Sequence, residues 1–152
     1  MDSFPILHFP SLKLKIVKTN NGLNIICPIR KKKFLLTPEE WVRQHVIAYL
    51  IQVKKYPLSR ISVEKTLKYN AMIKRWDIAV FDSNFDSFLL VECKSARIKL
   101  GNDTLSQVLT YQSTFRGKFI SITNGLDHKI FDLQSKDRQL KEIKDFPDFN
   151  FE

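Results

Sequence analysis

At 152 residues the chain suits one domain with a single hydrophobic core and is short for two. Hydrophobic residues make up 43% and charged residues 27%, and glycine (4) and proline (6) are sparse, which excludes a linker-dominated, collagen-like or disordered chain. Lysine and arginine outnumber aspartate and glutamate 25 to 16, a formal charge of +9 that favours a polyanionic partner but names no chemistry. Cys27 and Cys93 lie far apart, with no CxxC and no histidine pair at zinc-ligand spacing, so neither a disulfide framework nor a zinc finger is suggested. Met1 to Pro10 carries no leader-like pattern, and no apolar stretch reaches the roughly 20 residues of a membrane span. A soluble, cytoplasmic protein without a membrane partner is expected.

Two β-rich runs, Leu12 to Val17 and Leu23 to Ile29, flank Asn20-Asn21-Gly22 and predict an N-terminal β-hairpin over 11–29. Arg30 to Lys33 reads as a solvated basic connection. Thr37-Pro38-Glu39-Glu40 has a cap, a proline at the first helical position and an acid three residues after the threonine, so a helix is expected to start there and run to about Lys54. Val42, Val46, Tyr49, Leu50 and Val53 form its apolar face, and Ile47 and Ile51 widen that face enough to imply packing on a sheet. Strands are predicted at Ile61 to Leu67, Trp76 to Phe81 and Phe88 to Cys93, the last two joined by the polar turn Asp82 to Ser87. A second helix from about Thr104 to Phe115, capped by Asp103, leads to the strand Phe119 to Thr123, and Asn124-Gly125 turns the chain into Lys129 to Leu133. The expected order is ββ-α-βββ-α-ββ, with a core over 37–133. The tail over 135–152, with Phe146, Phe149 and Phe151, either packs back or stays mobile.

In Trp76-Asp77-Ile78-Ala79-Val80 and Phe88-Leu89-Leu90-Val91-Glu92-Cys93-Lys94, charged residues interrupt or end runs that otherwise belong in a buried sheet. Alternation puts Glu92 and Lys94 on one face, and a hairpin brings Asp77 beside Glu92. Two carboxylates that close repel unless a cation sits between them, and hard oxygen ligands suit a divalent ion such as magnesium. Such an ion would bind a scissile phosphate and acidify a water, with Lys94 orienting that water or neutralising developing charge. An ordinary salt-bridged strand end is the competing reading. The apolar strands, the fitting turn and the acidic-start helix around these residues favour a nuclease-type site.

Taken in order, Thr37-Pro38-Glu39-Glu40-Trp41-Val42-Arg43-Gln44, Arg75-Trp76-Asp77-Ile78, Val91-Glu92-Cys93-Lys94, Gln107-Val108-Leu109-Thr110-Tyr111 and Ile122-Thr123-Asn124-Gly125 make the chain similar to the PD-(D/E)XK nuclease superfamily. Within it, the chain resembles the N-terminal domain of type I restriction enzyme R subunits, from Thr37 to Phe131. The resemblance implies a restriction-endonuclease-like α/β fold, a central mixed sheet flanked by helices. It also implies Mg²⁺ (Mn²⁺ as a substitute) on Asp77, Glu92 and the Cys93 carbonyl, with Lys94 as the catalytic lysine. A further acid from the first helix falls on Glu39 or Glu40: Glu39 shares a face with Val42 and Val46, whereas Glu40 fits a capping box. Gln107 and Tyr111, four apart on one helical face, match the Q-x-x-x-Y element that contacts DNA or braces the site. Trp76 stands where the superfamily's name has proline, which leaves the carboxylate in place.

His8, His45 and His128 are scattered without a nucleophile partner, and the glycines fit neither a P-loop nor a dinucleotide fingerprint. The expectation is therefore a Mg²⁺-dependent DNA endonuclease, acting alone, as a homodimer or with other restriction-modification subunits. The alternative is a catalytically silent nucleic-acid-binding or interaction module of the same fold.

Overall fold

In the computed structural model, which describes residues 4–137 and 139–149, nine strands and two helices follow in the order β1 (Ile16–Thr19), β2 (Gly22–Cys27), β3 (Lys32–Leu35), α1 (Pro38–Gln52), β4 (Ile61–Tyr69), β5 (Met72–Phe81), β6 (Ser87–Cys93), α2 (Asn102–Thr114), β7 (Phe119–Thr123), β8 (His128–Asp132) and β9 (Lys141–Ile143). The central sheet has the order β4-β5-β6-β7-β8-β9, and all neighbours are antiparallel except β6 and β7. That parallel pair needs a crossover, which α2 provides. Both sheet faces are covered: Val42, Val46, Ile47 and Leu50 of α1 pack with Ile78, Val80, Leu89 and Val91, while Val108 of α2 and Phe115 just after it pack with Trp76, Leu90, Ile120 and Ile122. Continuous apolar runs such as Phe88 to Val91 and the fully buried β7 follow from this two-sided cover.

Helix α1 starts as its sequence dictates, with Thr37 extended at φ −96° and ψ 163° and its Oγ1 accepting the Glu40 N–H at 3.1 Å. The reciprocal half of the capping box is not made. The Glu40 carboxylate turns instead to Arg30 and Arg43. Helix α2 differs at its start: Gly101 occupies the cap without a side-chain hydrogen bond, and Asp103 lies inside the first turn, where its charge favours the helix dipole.

Other elements depart from expectation. The predicted hairpin over 11–29 is two strands of a three-stranded sheet, because β3 takes up part of the basic run Arg30 to Lys33 and pairs with β2. An edge strand rich in lysine hides its strand character, and the same holds for β9, three residues long at the far edge. Strands β4 and β5 extend to a two-residue turn at Asn70-Ala71, with Asn70 at φ 54°.

The β4–β5 hairpin also changes face midway. Trp76 lies on the α2 side but Ile78 and Val80 on the α1 side, and on β4 Val63 and Leu67 divide in the same way. Strict alternation would keep each set together. Pairing runs through Val63↔Ile78 and resumes at Lys65↔Trp76, skipping Glu64 and Asp77, and Glu64 sits at φ 55°. A left-handed non-glycine residue costs roughly 1–2 kcal/mol, here offset by ion pairs from Glu64 to Arg75 at 2.9 Å and Arg30 at 3.3 Å.

The C-terminal segment packs back on α1. Phe146 is buried, Phe149 stacks near Tyr56 and Phe88, Tyr56 hydrogen-bonds the Pro147 carbonyl, and Tyr49 donates to Asp145 at 2.8 Å. Burial and the Asp145 charge push the Tyr49 hydroxyl up to about 12. Phe151 lies outside the described residues. No helix among the described residues is long and apolar enough to cross a membrane. Phe146→Ala is expected to lower the unfolding free energy by about 3 kcal/mol, read as a reduced urea midpoint at unchanged slope.

Candidate active site

The ladder between β5 and β6 closes at Ile78↔Val91 and then opens, while β6 stays on β7 through Glu92↔Ile122 and Cys93↔Thr123. The Asp77 carboxylate fills the opening: one oxygen accepts the freed Cys93 N–H at 2.8 Å and the other accepts Arg43 Nη2 at 2.7 Å. Lys94 is anchored one residue on, its N–H donating to the Thr123 carbonyl at 2.8 Å. The Asn124-Gly125 turn steadies the following loop, since Asn124 Nδ2 donates to the Ile98 carbonyl at 2.8 Å. Gly125, at φ 84°, holds a left-handed backbone that strains any residue with a side chain, and a Cβ there would also press on the Leu7 side chain at 2.8 Å.

Glu39, Arg43, Glu64, Asp77, Glu92 and Lys94 thereby line one recess of about 260 Å³. Glu92 and Lys94 share a face, with Lys94 Nζ 3.8 Å from Glu92 Oε1. Glu92 Oε2 has a closer cation, Lys74 Nζ at 2.7 Å, and the Tyr111 hydroxyl stands 3.4 Å away. Of the two candidate helix acids, Glu39 borders the recess and Glu40 is buried behind it between Arg30 and Arg43. Gln107 is half-buried one turn before Tyr111 and is not part of the lining.

Arg43 ties these groups together, its guanidinium contacting Glu39 at 3.1 Å, Glu40 at 2.7 Å and Asp77 at 2.7 Å. Burial opposes its charge, but the hydrogen bond to Asp77 and the fields of Glu40 and Asp77 outweigh burial and shift its pKa upward. Burial first, then the charge of Asp77, raises the Glu39 carboxyl, with Arg43 and Lys94 pulling the other way. Burial likewise pushes the Cys93 thiol far up, so Cys93 offers its backbone and not a thiolate.

Three carboxylates, Glu39, Asp77 and Glu92, on one recess are hard oxygen donors of the kind a small divalent cation takes, and Asp77 adds to the effect of burial in raising the Glu39 carboxyl. Among the described residues no three acidic, histidine or cysteine side chains converge closely enough to enclose an ion, and Asp77 and Glu92 are each paired with a protein cation. In kind and neighbourhood the donors fit such an ion. Arg43 carried a readable signal, standing three and four residues from Glu40 and Glu39 on the helix. Lys74 was hidden among the charges of an exposed hairpin, and residue type gives no sign of the left-handed backbone at Glu64.

The sequence matches the family described as type I restriction enzyme R protein N terminus over residues 38–147, and the chain belongs to that family. No curated protein matches it. Among solved structures it is similar to a candidate nuclease belonging to DUF820 from Anabaena variabilis, at 11% identity and a TM-score of 0.40, over 84% of this chain and 85% of the other. The domain is thus an α/β domain of the family found at the N terminus of type I restriction enzyme R proteins.

Two measurements probe the site's electrostatics. Arg43→Met strands the acids it pairs and is expected to cost about 3 kcal/mol or more of stability in chelator, measured by urea denaturation. For Glu39→Gln the sign is opposite. A carboxyl raised in the folded state gives stability that is present below the ordinary glutamate pKa and lost as pH climbs through the raised value. The amide variant should therefore gain thermal stability over the parent across that window and keep the gain at neutral pH, with no difference at more acidic pH.

Proposed function

We propose that this domain is a divalent-metal-dependent endodeoxyribonuclease that hydrolyses phosphodiester bonds in DNA. The observation supporting it is the meeting of Asp77, Glu92 and Lys94 at one sheet end, with Glu39 on the same recess. Asp77, Glu92 and the Cys93 carbonyl would hold Mg²⁺, or Mn²⁺ in its place, and Glu39 is the helix acid nearest in position to join them. Bound there, the ion supplies Lewis acidity toward the scissile phosphate.

The protein's own contributions are separate. Asp77 is oriented from both sides, by Arg43 and by the Cys93 N–H. Lys94 stands 3.8 Å from Glu92, a long contact that leaves its ammonium available to orient the attacking water and neutralise charge gathering on the phosphate. The water oxygen forms a P–O bond as the ester P–O bond breaks, the water's proton goes to solvent, and the departing oxygen takes up a proton. Tyr111 braces Glu92, and Gln107, farther along the same helix face, is assigned to DNA. A formal charge of +9 supports binding to the DNA backbone, and other restriction-system subunits or a second copy of the chain are the proposed protein partners.

A second reading, a silent DNA-binding module of the same fold, is favoured by the ion pairs that occupy Asp77 and Glu92. Plasmid and oligonucleotide incubations with Mg²⁺, Mn²⁺ or chelator separate the two. The nuclease reading expects cleavage abolished by chelator and reduced about 100-fold or more in Asp77→Ala and Lys94→Ala, with salt-sensitive DNA binding retained. Binding without cleavage in any metal leaves the silent module.

A further inference from the structure

The four carboxylates lining the recess, Glu39, Glu64, Asp77 and Glu92, are matched by Arg43, Arg75 and Lys94 from the lining and by Lys74 from beside it. The Glu40–Arg30 pair behind cancels itself. The ionised site is therefore electrically balanced before any divalent ion arrives.

Lys74 is the member of this set best placed as the cation of Glu92. Its ammonium lies 2.7 Å from Glu92 Oε2, against 3.8 Å for Lys94 and the other oxygen. It also rests 4.8 Å from the Trp76 ring centre and 4.9 Å from that of Tyr111, so two aromatic faces and a carboxylate hold it in place. The face switch at Glu64 and Asp77 makes this possible, because it swings Trp76 and the hairpin beyond it to the α2 side, where Glu92 points. Cation and carboxylate are both mostly buried, at 19% and 17% side-chain exposure, so solvent screens the pair only in part.

Resting on the nuclease reading, we propose that Lys74 is a resident counter-ion of Glu92, held in the Trp76–Tyr111 cradle, which sets the affinity of the site for a divalent cation. A divalent ion on Glu92 must displace the ammonium or bind against its field. Removing one positive charge a few ångströms from a doubly charged ion is worth about tenfold in affinity at low ionic strength.

The test is calorimetric titration of Mn²⁺ into the full chain without DNA, comparing the parent with Lys74→Met and Lys74→Arg. Lys74→Met keeps the stem against the two rings and removes the charge, and should bind Mn²⁺ about tenfold tighter. Lys74→Arg keeps the charge and should stay close to the parent. Retained cooperative thermal unfolding without Mn²⁺ verifies that Lys74→Met is folded. Equal or weaker Mn²⁺ binding by folded Lys74→Met overturns the counter-ion role and leaves the nuclease reading standing. An unfolded Lys74→Met shifts the comparison to Lys74→Gln, judged by the same criterion. Failure of every form, parent included, to bind Mn²⁺ overturns both proposals together.

Discussion

The contact between Arg43 and Asp77 joins the two halves of the site. Asp77 lies where β5 parts from β6, at the start of the buried segment of its strand, and its carboxylate substitutes for a missing rung by accepting the Cys93 N–H. A carboxylate at only 14% side-chain exposure needs a cation, and Arg43 reaches it from the first turns of α1. The same guanidinium satisfies Glu39 and Glu40, so the helix start and the sheet end are oriented by one planar donor. Arg30 extends the network to the N-terminal sheet through Glu40 and Glu64.

The recess is built at a cost in stability. Glu39 is held where burial and the charge of Asp77 disfavour its ionisation, Glu64 takes a strained backbone, and the β5–β6 ladder ends beside the recess. The surroundings compensate through two apolar clusters on opposite sheet faces and through the tail, which closes over α1 with Phe146 and Phe149. Helix α1 is accordingly enclosed by the central sheet, the N-terminal sheet carrying Cys27, and the returning tail. Its apolar face exceeds a normal surface stripe for that reason.

Electrical balance gives the recess two compatible uses. A neutral site can receive a phosphate together with its divalent ion without a large accumulation of like charge. It can equally serve as a rigid ion-paired platform if no divalent ion binds. Which use prevails depends on how firmly Arg43 and Lys74 hold their carboxylates, a question of interaction strength and not of which residues are present.

Much of this is legible in the sequence. Apolar runs interrupted at Asp77 and Glu92 marked the site, the Thr37-Pro38 start placed α1, and turn chemistry at Asn124-Gly125 placed the β7–β8 connection, because capping, periodicity and turn preference act within a few residues. Edge strands β3 and β9 escaped, since charged edges carry little apolar alternation. The choice between Glu39 and Glu40 as the residue bordering the recess, the partnership of Arg43 with Asp77 and of Lys74 with Glu92, and the face switch opposite Glu64 were decided by the tertiary structure alone. Each brings together residues remote along the chain or depends on a backbone twist that residue type does not encode. Local preference determined which groups could do chemistry here; long-range packing and the neutralisation of buried charge decided which of them meet.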